Sequence, residues 1–230
     1  MLEDLTNAED EQIVVLHACA HNPTGQDPTR DQWQKILEVV QAKGHFAAFD
    51  SAYQGFASGN LDEDAYALRH FANNTDRLCL FQSFAKNFGL YGERAGNIHV
   101  VCANADEASN VNTRLKQFAR PMYSNPPIHG ARVVDMILGD KDLTASWHKD
   151  LLLMSGRIQE MRFALVESLK KQGSEHDWSH VTKQIGMFAY TGLNKAQVDD
   201  LISNSSIYMT GDGRISLAGL NTGNIDYVAS

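Results

Sequence analysis

The sequence predicts an α/β fold with a mainly parallel sheet, followed by a smaller α+β part that a long helix joins to it. Two observations carry that expectation. In the first half, short apolar runs alternate with segments of helical periodicity, the order that builds parallel strands with right-handed crossovers. From Ala105 onward helical patterns dominate, and after Gly173 short β-like pieces surround one further helix.

The runs Ile13 to His17, Phe46 to Phe49, Leu78 to Phe81 and Ile98 to Cys102 are continuous rather than alternating, as expected of strands buried on both faces. Between the first two, Pro28 suits a first helical turn, Trp33, Ile36, Leu37 and Val40 recur at helical spacing, and Gly44 closes the helix. Asp62 to Phe71 gives a second, weaker helix. The longest helical pattern starts near Asp142 and runs to about Lys171, with Leu151, Leu152, Ile158, Met161 and Leu165 among its apolar positions. Such a length suits a helix between two domains, and a boundary near residue 153 divides the chain into 1–153 and 154–230. Ile185 to Tyr190, Ile207 to Met209 and Ile215 to Leu217 are β-like pieces around a helix from Asn194 to Ser203. The first strand follows only about a dozen polar residues, and the last helix, from Asn224, stops at Ser230, so both ends read as cut.

Composition removes several classes of function. The 230 residues are 43% hydrophobic and 21% charged, enough apolar mass for a sizeable core. A net charge of −8 argues against a nucleic-acid binder, which needs a clustered basic face. No apolar run approaches the ~20 residues of a membrane span. Met1 to Gln12 is acidic and lacks the basic and apolar regions of a secretory signal. Cys19, Cys79 and Cys102, odd in number and each in an apolar segment, read as free thiols of a reducing compartment. A cytoplasmic location is expected, a mitochondrial form being the alternative.

In an open parallel sheet, ligands bind beyond the carboxyl ends of the strands. After the first apolar run come His21-Asn22-Pro23-Thr24-Gly25. Asp50 and Tyr53 follow the second, and Ser83, Lys86 and then Arg94 follow the third. Singly, each has a plain structural reading. Asp50 would cap a turn, Lys86 would be a solvated loop cation, and Tyr53 would sit at the edge of the core. Asn22 to Gly25 would be a turn, and Arg94 would join a surface ion pair worth under about 1 kcal/mol. His17, Cys19 and His21 share one face of a strand, but no second ligand cluster with metal spacing follows, and no metal site is expected. A Ser-His-Asp hydrolase lacks its G-x-S-x-G elbow. Together, the residues suit pyridoxal 5'-phosphate, which needs a lysine, an acid facing its pyridine nitrogen, and cationic and hydroxyl donors for its phosphate.

The motifs carry a resemblance. His21-Asn22-Pro23-Thr24-Gly25, Asp50-Ser51-Ala52-Tyr53-Gln54-Gly55-Phe56, Ser83-Phe84-Ala85-Lys86-Asn87-Phe88-Gly89-Leu90-Tyr91 and Glu93-Arg94-Ala95-Gly96 occur in that order. Tyr123-Ser124-Asn125-Pro126-Pro127 and Gly213-Arg214-Ile215 follow. This series resembles the aspartate aminotransferases of fold-type I over essentially the whole chain. The resemblance implies part of the large cofactor-binding domain of a fold-type I PLP-dependent transferase in 1–153 and a small C-terminal domain in 154–230. It also implies conversion of L-aspartate and 2-oxoglutarate to oxaloacetate and L-glutamate.

By the same resemblance, Lys86 would hold the cofactor as a Schiff base and act as general base. Asp50 would hold the pyridinium proton, and Asn22 and Tyr53 would bond the ring 3-oxygen. Ser83 and Arg94 would bind the phosphate, and the bond before Pro23 would be cis. Arg214 would grip the substrate α-carboxylate. Arg120 would reach the neighbouring subunit's site in a homodimer and pair with the side-chain carboxylate, and Phe188 would line the substrate side. Two rigid guanidinium forks suit dicarboxylic amino acids and 2-oxo acids. Family members place a Gly/Ser/Thr phosphate loop, a stacking tryptophan and a cross-dimer tyrosine upstream of the Asn-Pro-Thr-Gly motif. Here 21 residues precede that motif and supply none of them, and Trp33, Trp147 and Trp178 do not suit the stacking role. The expectation is therefore the C-terminal portion of such an enzyme, truncated at its N-terminus and inactive by itself. The alternatives are an inactive PLP-fold fragment, a non-catalytic partner subunit, and an α/β domain with no ligand.

Overall fold

In the computed structural model, which describes residues 1–230, helix α1 (Leu2–Asn7) and strand β1 (Ile13–His17) are followed by α2 (Arg30–Ala42), β2 (Phe46–Ser51), α3 (Leu61–Asp64), α4 (Tyr66–Ala72), β3 (Leu78–Ser83) and β4 (Gly96–Val100). Then come α5 (Ala105–Tyr123), α6 (His129–Gly139), α7 (Lys141–Lys171), α8 (Ser179–Lys183), β5 (Phe188–Tyr190), α9 (Lys195–Ser205), β6 (Arg214–Ser216) and α10 (Ile225–Ala229). Contacts divide the chain into two units. The first holds Met1–Cys19, Pro28–Gln54 and Asp62–Trp147, and the second holds Ala20–Asp27, Gly55–Leu61 and His148–Ser230.

In the first unit the strands lie in the order β1-β2-β3-β4, the first three parallel and β4 antiparallel to β3. Helix α2 begins at Arg30, after Thr29 and Gln32 form a reciprocal capping box, two residues later than a start at Pro28 would place it. It ends at Lys43, and Gly44 follows in the left-handed region at φ 62°. The helix expected over Asp62 to Phe71 is broken at Ala65 into α3 and α4. Leu16, Trp33, Ile36, Leu37, Val40, Ala47, Phe49, Phe71 and Leu78 form the core. Within it, the rings of Phe49 and Phe71 meet edge-on at 5.0 Å, and Trp33 lies 5.9 Å from Phe49.

Burial of the strands on both faces does not hold. The helices cover one side of the sheet, whereas Ile13 is 72% exposed, Val15 69%, Phe81 50% and Ile98 44%. On this open face only the small central residues Ala48 and Cys79 are buried, shielded by their neighbours on adjacent strands. A continuous apolar run describes residues suited to two covers, and these 230 residues place one.

In the second unit, α7 carries the buried row Leu151, Ile158, Met161, Leu165 and Val166, while Leu152 points outward at 59% exposure. It follows Leu151 by about 100° around the helix and leaves the buried stripe. Strands β5 and β6 pair antiparallel, and Ile207 to Met209 stays outside that sheet. Helix α9 starts on a second capping box, Asn194 with Gln197. No helix is long and apolar enough to cross a membrane.

Phe49 has no exposed surface and two aromatic neighbours. Phe49→Ala is expected to cost about 3–5 kcal/mol, and Thr29→Ala about 1 kcal/mol. Both are read from the denaturant midpoint of the first unit, and equal small shifts for the two variants would contradict this account of the core.

Candidate active site

In the first unit, parallel register sets His17, Asp50 and Phe81 side by side on β1, β2 and β3. Residues in such a row face the same side of a sheet, and so do residues two apart on one strand. Asp50 and Ser83 therefore share the open face at the carboxyl ends of their strands. Asp50 is exposed, and Tyr53, in the turn after β2, is buried. Lys86 stands in the loop after β3, with its Nζ 5.3 Å from the centroid of the Tyr53 ring and 5.9 Å from that of Tyr91. Attraction of an ammonium to aromatic faces holds it there.

The loop around Lys86 is anchored on several sides. The Ala85 N–H donates to Ser83 Oγ at 3.2 Å, and the Gly89 N–H donates to the Lys86 carbonyl at 3.0 Å. Asn87 Nδ2 donates to the Gln54 carbonyl at 3.3 Å, tying this loop to the turn that carries Tyr53. The Asn87 carbonyl accepts from Trp147 Nε1 at 2.7 Å, and the Trp147 ring stacks on Phe88 at 4.3 Å. Arg94 sits at φ 52°, a conformation rare outside glycine, and its Nη1 donates to the Tyr91 carbonyl at 3.2 Å. Tyr91 thus accepts from Arg94 and lies near Lys86. Arg120 stands apart from this cluster. It occupies the last turn of α5, exposed, and its Nη1 donates to Ser124 Oγ at 3.1 Å.

The second unit gathers the remaining three candidates. Residues 20–27 form a tight loop in which the Asp27 carboxylate accepts from the N–H groups of Ala20 at 2.6 Å and His21 at 2.8 Å. The Asn22–Pro23 bond within it is cis. The Ile185 N–H donates to the Gly25 carbonyl at 2.8 Å and fixes the loop to the segment before β5. Arg214, paired with Tyr190 across the β5–β6 ladder, donates from Nη1 to Asn22 Oδ1 at 2.8 Å. Its Cζ lies 4.7 Å over the Phe188 ring. Asp212 accepts from the Arg214 N–H at 3.2 Å, and its hydrogen bonds, first that from the Thr210 hydroxyl, hold its carboxyl below the usual carboxylate range.

The donor set of the first unit fits pyridoxal phosphate in kind. It offers one amine near two phenol rings, a carboxylate on the same open face as a hydroxyl, and a guanidinium in the same loop as the amine. The second unit offers a guanidinium fork backed by an aromatic ring and steadied by an amide, the arrangement that receives a planar carboxylate.

Parallel strands with the first unit's carboxylate, hydroxyl and amine at or beyond their carboxyl ends make an α/β fold suited to pyridoxal phosphate. The family model Aminotransferase class I and II matches residues 1–230, and the chain belongs to that family. Among its relatives, a mitochondrial aspartate aminotransferase of Dictyostelium discoideum is 53% identical over 229 residues, covering 100% of this chain and 54% of the relative. A chloroplastic aspartate aminotransferase of Arabidopsis thaliana is 52% identical, covering 100% of this chain and 51% of the relative. The solved mitochondrial aspartate aminotransferase of Trypanosoma brucei superposes with a TM-score of 0.97 at 50% identity, over 100% of this chain and 60% of that one. An aromatic-amino-acid aminotransferase of Burkholderia pseudomallei, solved covalently bound to pyridoxal phosphate, gives 0.96 at 46% identity, over 100% of this chain and 57% of that one. The chain spans about half the length of the curated relatives it matches.

Three contributors escaped the sequence reading. Asp27 braces the Asn22 loop, Tyr91 flanks Lys86, and Arg162 on α7 is buried against the segment before β5. Arg162 left a signal, since Ile158, Met161, Leu165 and Val166 place it on the apolar stripe of α7. Tyr91 closes the Ser83 to Tyr91 motif, which gave it no role by itself, and Asp27 left no signal beyond its presence in a loop.

Gly25 stands at φ 63°, and a Cβ there would lie 2.9 Å from the Ile185 carbonyl oxygen. Gly25→Ala is expected to destabilise the loop by about 1–3 kcal/mol and to speed amide hydrogen exchange at Ile185. Unchanged protection at Ile185 would show that the loop is not fixed there.

Proposed function

We propose that the whole protein is a pyridoxal-phosphate-dependent aspartate aminotransferase, converting L-aspartate and 2-oxoglutarate to oxaloacetate and L-glutamate. The observation that carries this reading is the Lys86 ammonium, 5.3 and 5.9 Å from the Tyr53 and Tyr91 ring centroids and beyond the strand ends that present Asp50 and Ser83. When bound, the cofactor supplies an aldehyde for an amine and a ring that accepts negative charge from the substrate Cα.

The protein's own groups supply the rest. Lys86 Nζ would carry the cofactor at rest and, as a free amine, would take and return the proton of the substrate Cα. Asp50 would keep the pyridine nitrogen protonated, and Tyr53 and Asn22 would donate to the ring 3-oxygen. The Ser83 hydroxyl and the Arg94 guanidinium would hold the phosphate. In the second unit, Arg214 receives the substrate α-carboxylate, with Phe188 and Asn22 fixing the plane of its fork. Arg120 pairs with the side-chain carboxylate bound by a second copy of the chain. Its setting supports this, because α5 buries no residue and exposes Phe118, Met122 and Tyr123. By the same reading residues 1–153 would be part of the large cofactor domain and 154–230 a small domain, a division that differs from the two contact units at residues 20–27, 55–61 and 148–153. None of Cys19, Cys79 and Cys102 is in a disulfide, which suits a reducing compartment such as the cytoplasm. The relatives are mitochondrial, chloroplastic and cytoplasmic.

Mixing the chain with pyridoxal 5'-phosphate, reducing with borohydride and mapping peptides is expected to place the label chiefly on Lys86, and Lys86→Ala is expected to abolish the accompanying visible band. A label spread evenly over the lysines would support a chain without a cofactor site. In the whole enzyme, Arg120→Ala is expected to lower kcat/KM for dicarboxylic substrates by about 10²–10³-fold and to leave neutral amino acids nearly untouched. Equal losses for both substrate classes would contradict the pairing.

A further inference from the structure

Arg162 is the largest fully buried side chain, 2% exposed in the middle of α7. It forms no ion pair. Its Nη1 donates to the Val181 carbonyl at 2.9 Å, and its Nη2 donates to the carbonyls of Gly186 and Phe188, each at 2.8 Å. Burial pushes this guanidinium down to about 10, so it stays charged at neutral pH. A buried cation without a counter-ion is costly, and an apolar replacement would leave three carbonyls unpaired.

The tethered segment touches both groups that orient Arg214. Phe188 lies under the Arg214 guanidinium at 4.7 Å. Gly186, at φ 84°, packs so tightly on the Asn22 loop that a Cβ there would lie 2.6 Å from Ala20 Cβ. One residue earlier, the Ile185 N–H bonds the Gly25 carbonyl of the same loop, and Asn22 in that loop accepts from Arg214 Nη1.

We propose that Arg162 is a positioning residue for carboxylate recognition: by holding residues 186–188 it sets both the ring beneath Arg214 and the loop whose Asn22 steadies its fork. This rests on the proposed role of Arg214 and adds a buried residue remote from the substrate to its specificity apparatus. Misplacing a binding fork by an ångström is enough to cost an order of magnitude or more.

The test uses succinate, an unreactive dicarboxylate, titrated against the Arg214 Nε–H resonance of the 230-residue chain. Arg162→Lys is expected to weaken succinate by about tenfold, with the ring resonances of Trp33 and Phe49 unchanged as a check of the first unit. Gly186→Ala, which disturbs the same contact without touching the guanidinium, is expected to weaken it similarly and serves if Arg162 variants fail to fold. A purely structural role would lower the melting temperature and leave the affinity of the folded variant at the wild-type value, and that result for either folded variant overturns the proposal. Failure of Arg214→Lys to weaken succinate, or absence of any succinate response in the native chain, would instead remove the carboxylate role of Arg214 itself.

Discussion

The parallel register of β1, β2 and β3 is the constraint on which the first unit's chemistry depends. It aligns His17, Asp50 and Phe81 in one row, and the two-residue period of a strand then sends Asp50 and Ser83 to the same face. A slip by one residue on β2 would turn Asp50 toward the helices and Phe49 away from Trp33 and Phe71. The aromatic core and the placement of the carboxylate are therefore one decision. The energy that fixes Phe49 in the core also fixes Asp50 outside it.

The second unit uses a different device. Short strands of three residues each give little ladder energy, and the loop 20–27 is irregular. Order there comes from side chains that satisfy backbone groups. Asp27 accepts two N–H groups and Arg162 donates to three carbonyls, and charge-assisted bonds of this kind are stronger than neutral ones. The two charges act on opposite poles of the backbone, a carboxylate for donors and a guanidinium for acceptors. Between them lies the packing of Gly186 on Ala20, which only a glycine permits at that separation.

Much of this was legible in the residues. The apolar runs located β1, β2 and β3, and the spacing of Trp33, Ile36, Leu37 and Val40 located α2. The positions that follow the apolar runs named Asp50, Tyr53, Ser83, Lys86 and Arg94, because polar groups at the ends of apolar strands gather at a sheet's carboxyl edge. The break at Ala65 was not legible, nor was the open face of the sheet. Val15 and Leu16 are equally apolar, and nothing local distinguishes the exposed one from the buried one. The same holds for Leu151 and Leu152.

Local pattern by itself determined the types of the main elements, the order of β1 to β3 along the chain, the family resemblance and the roster of chemically able side chains. These follow from hydrophobic period, turn residues and motif spacing, all of which are properties of neighbours in sequence. Only the tertiary structure decided which face of the sheet is covered, that Lys86 lies near Tyr53 and Tyr91, and that Arg214 meets Asn22 across 192 positions of sequence. It also decided that a single cation at position 162 holds the segment beneath Arg214. Such pairings depend on how distant segments pack, and packing energies are summed over contacts that no stretch of chain contains on its own.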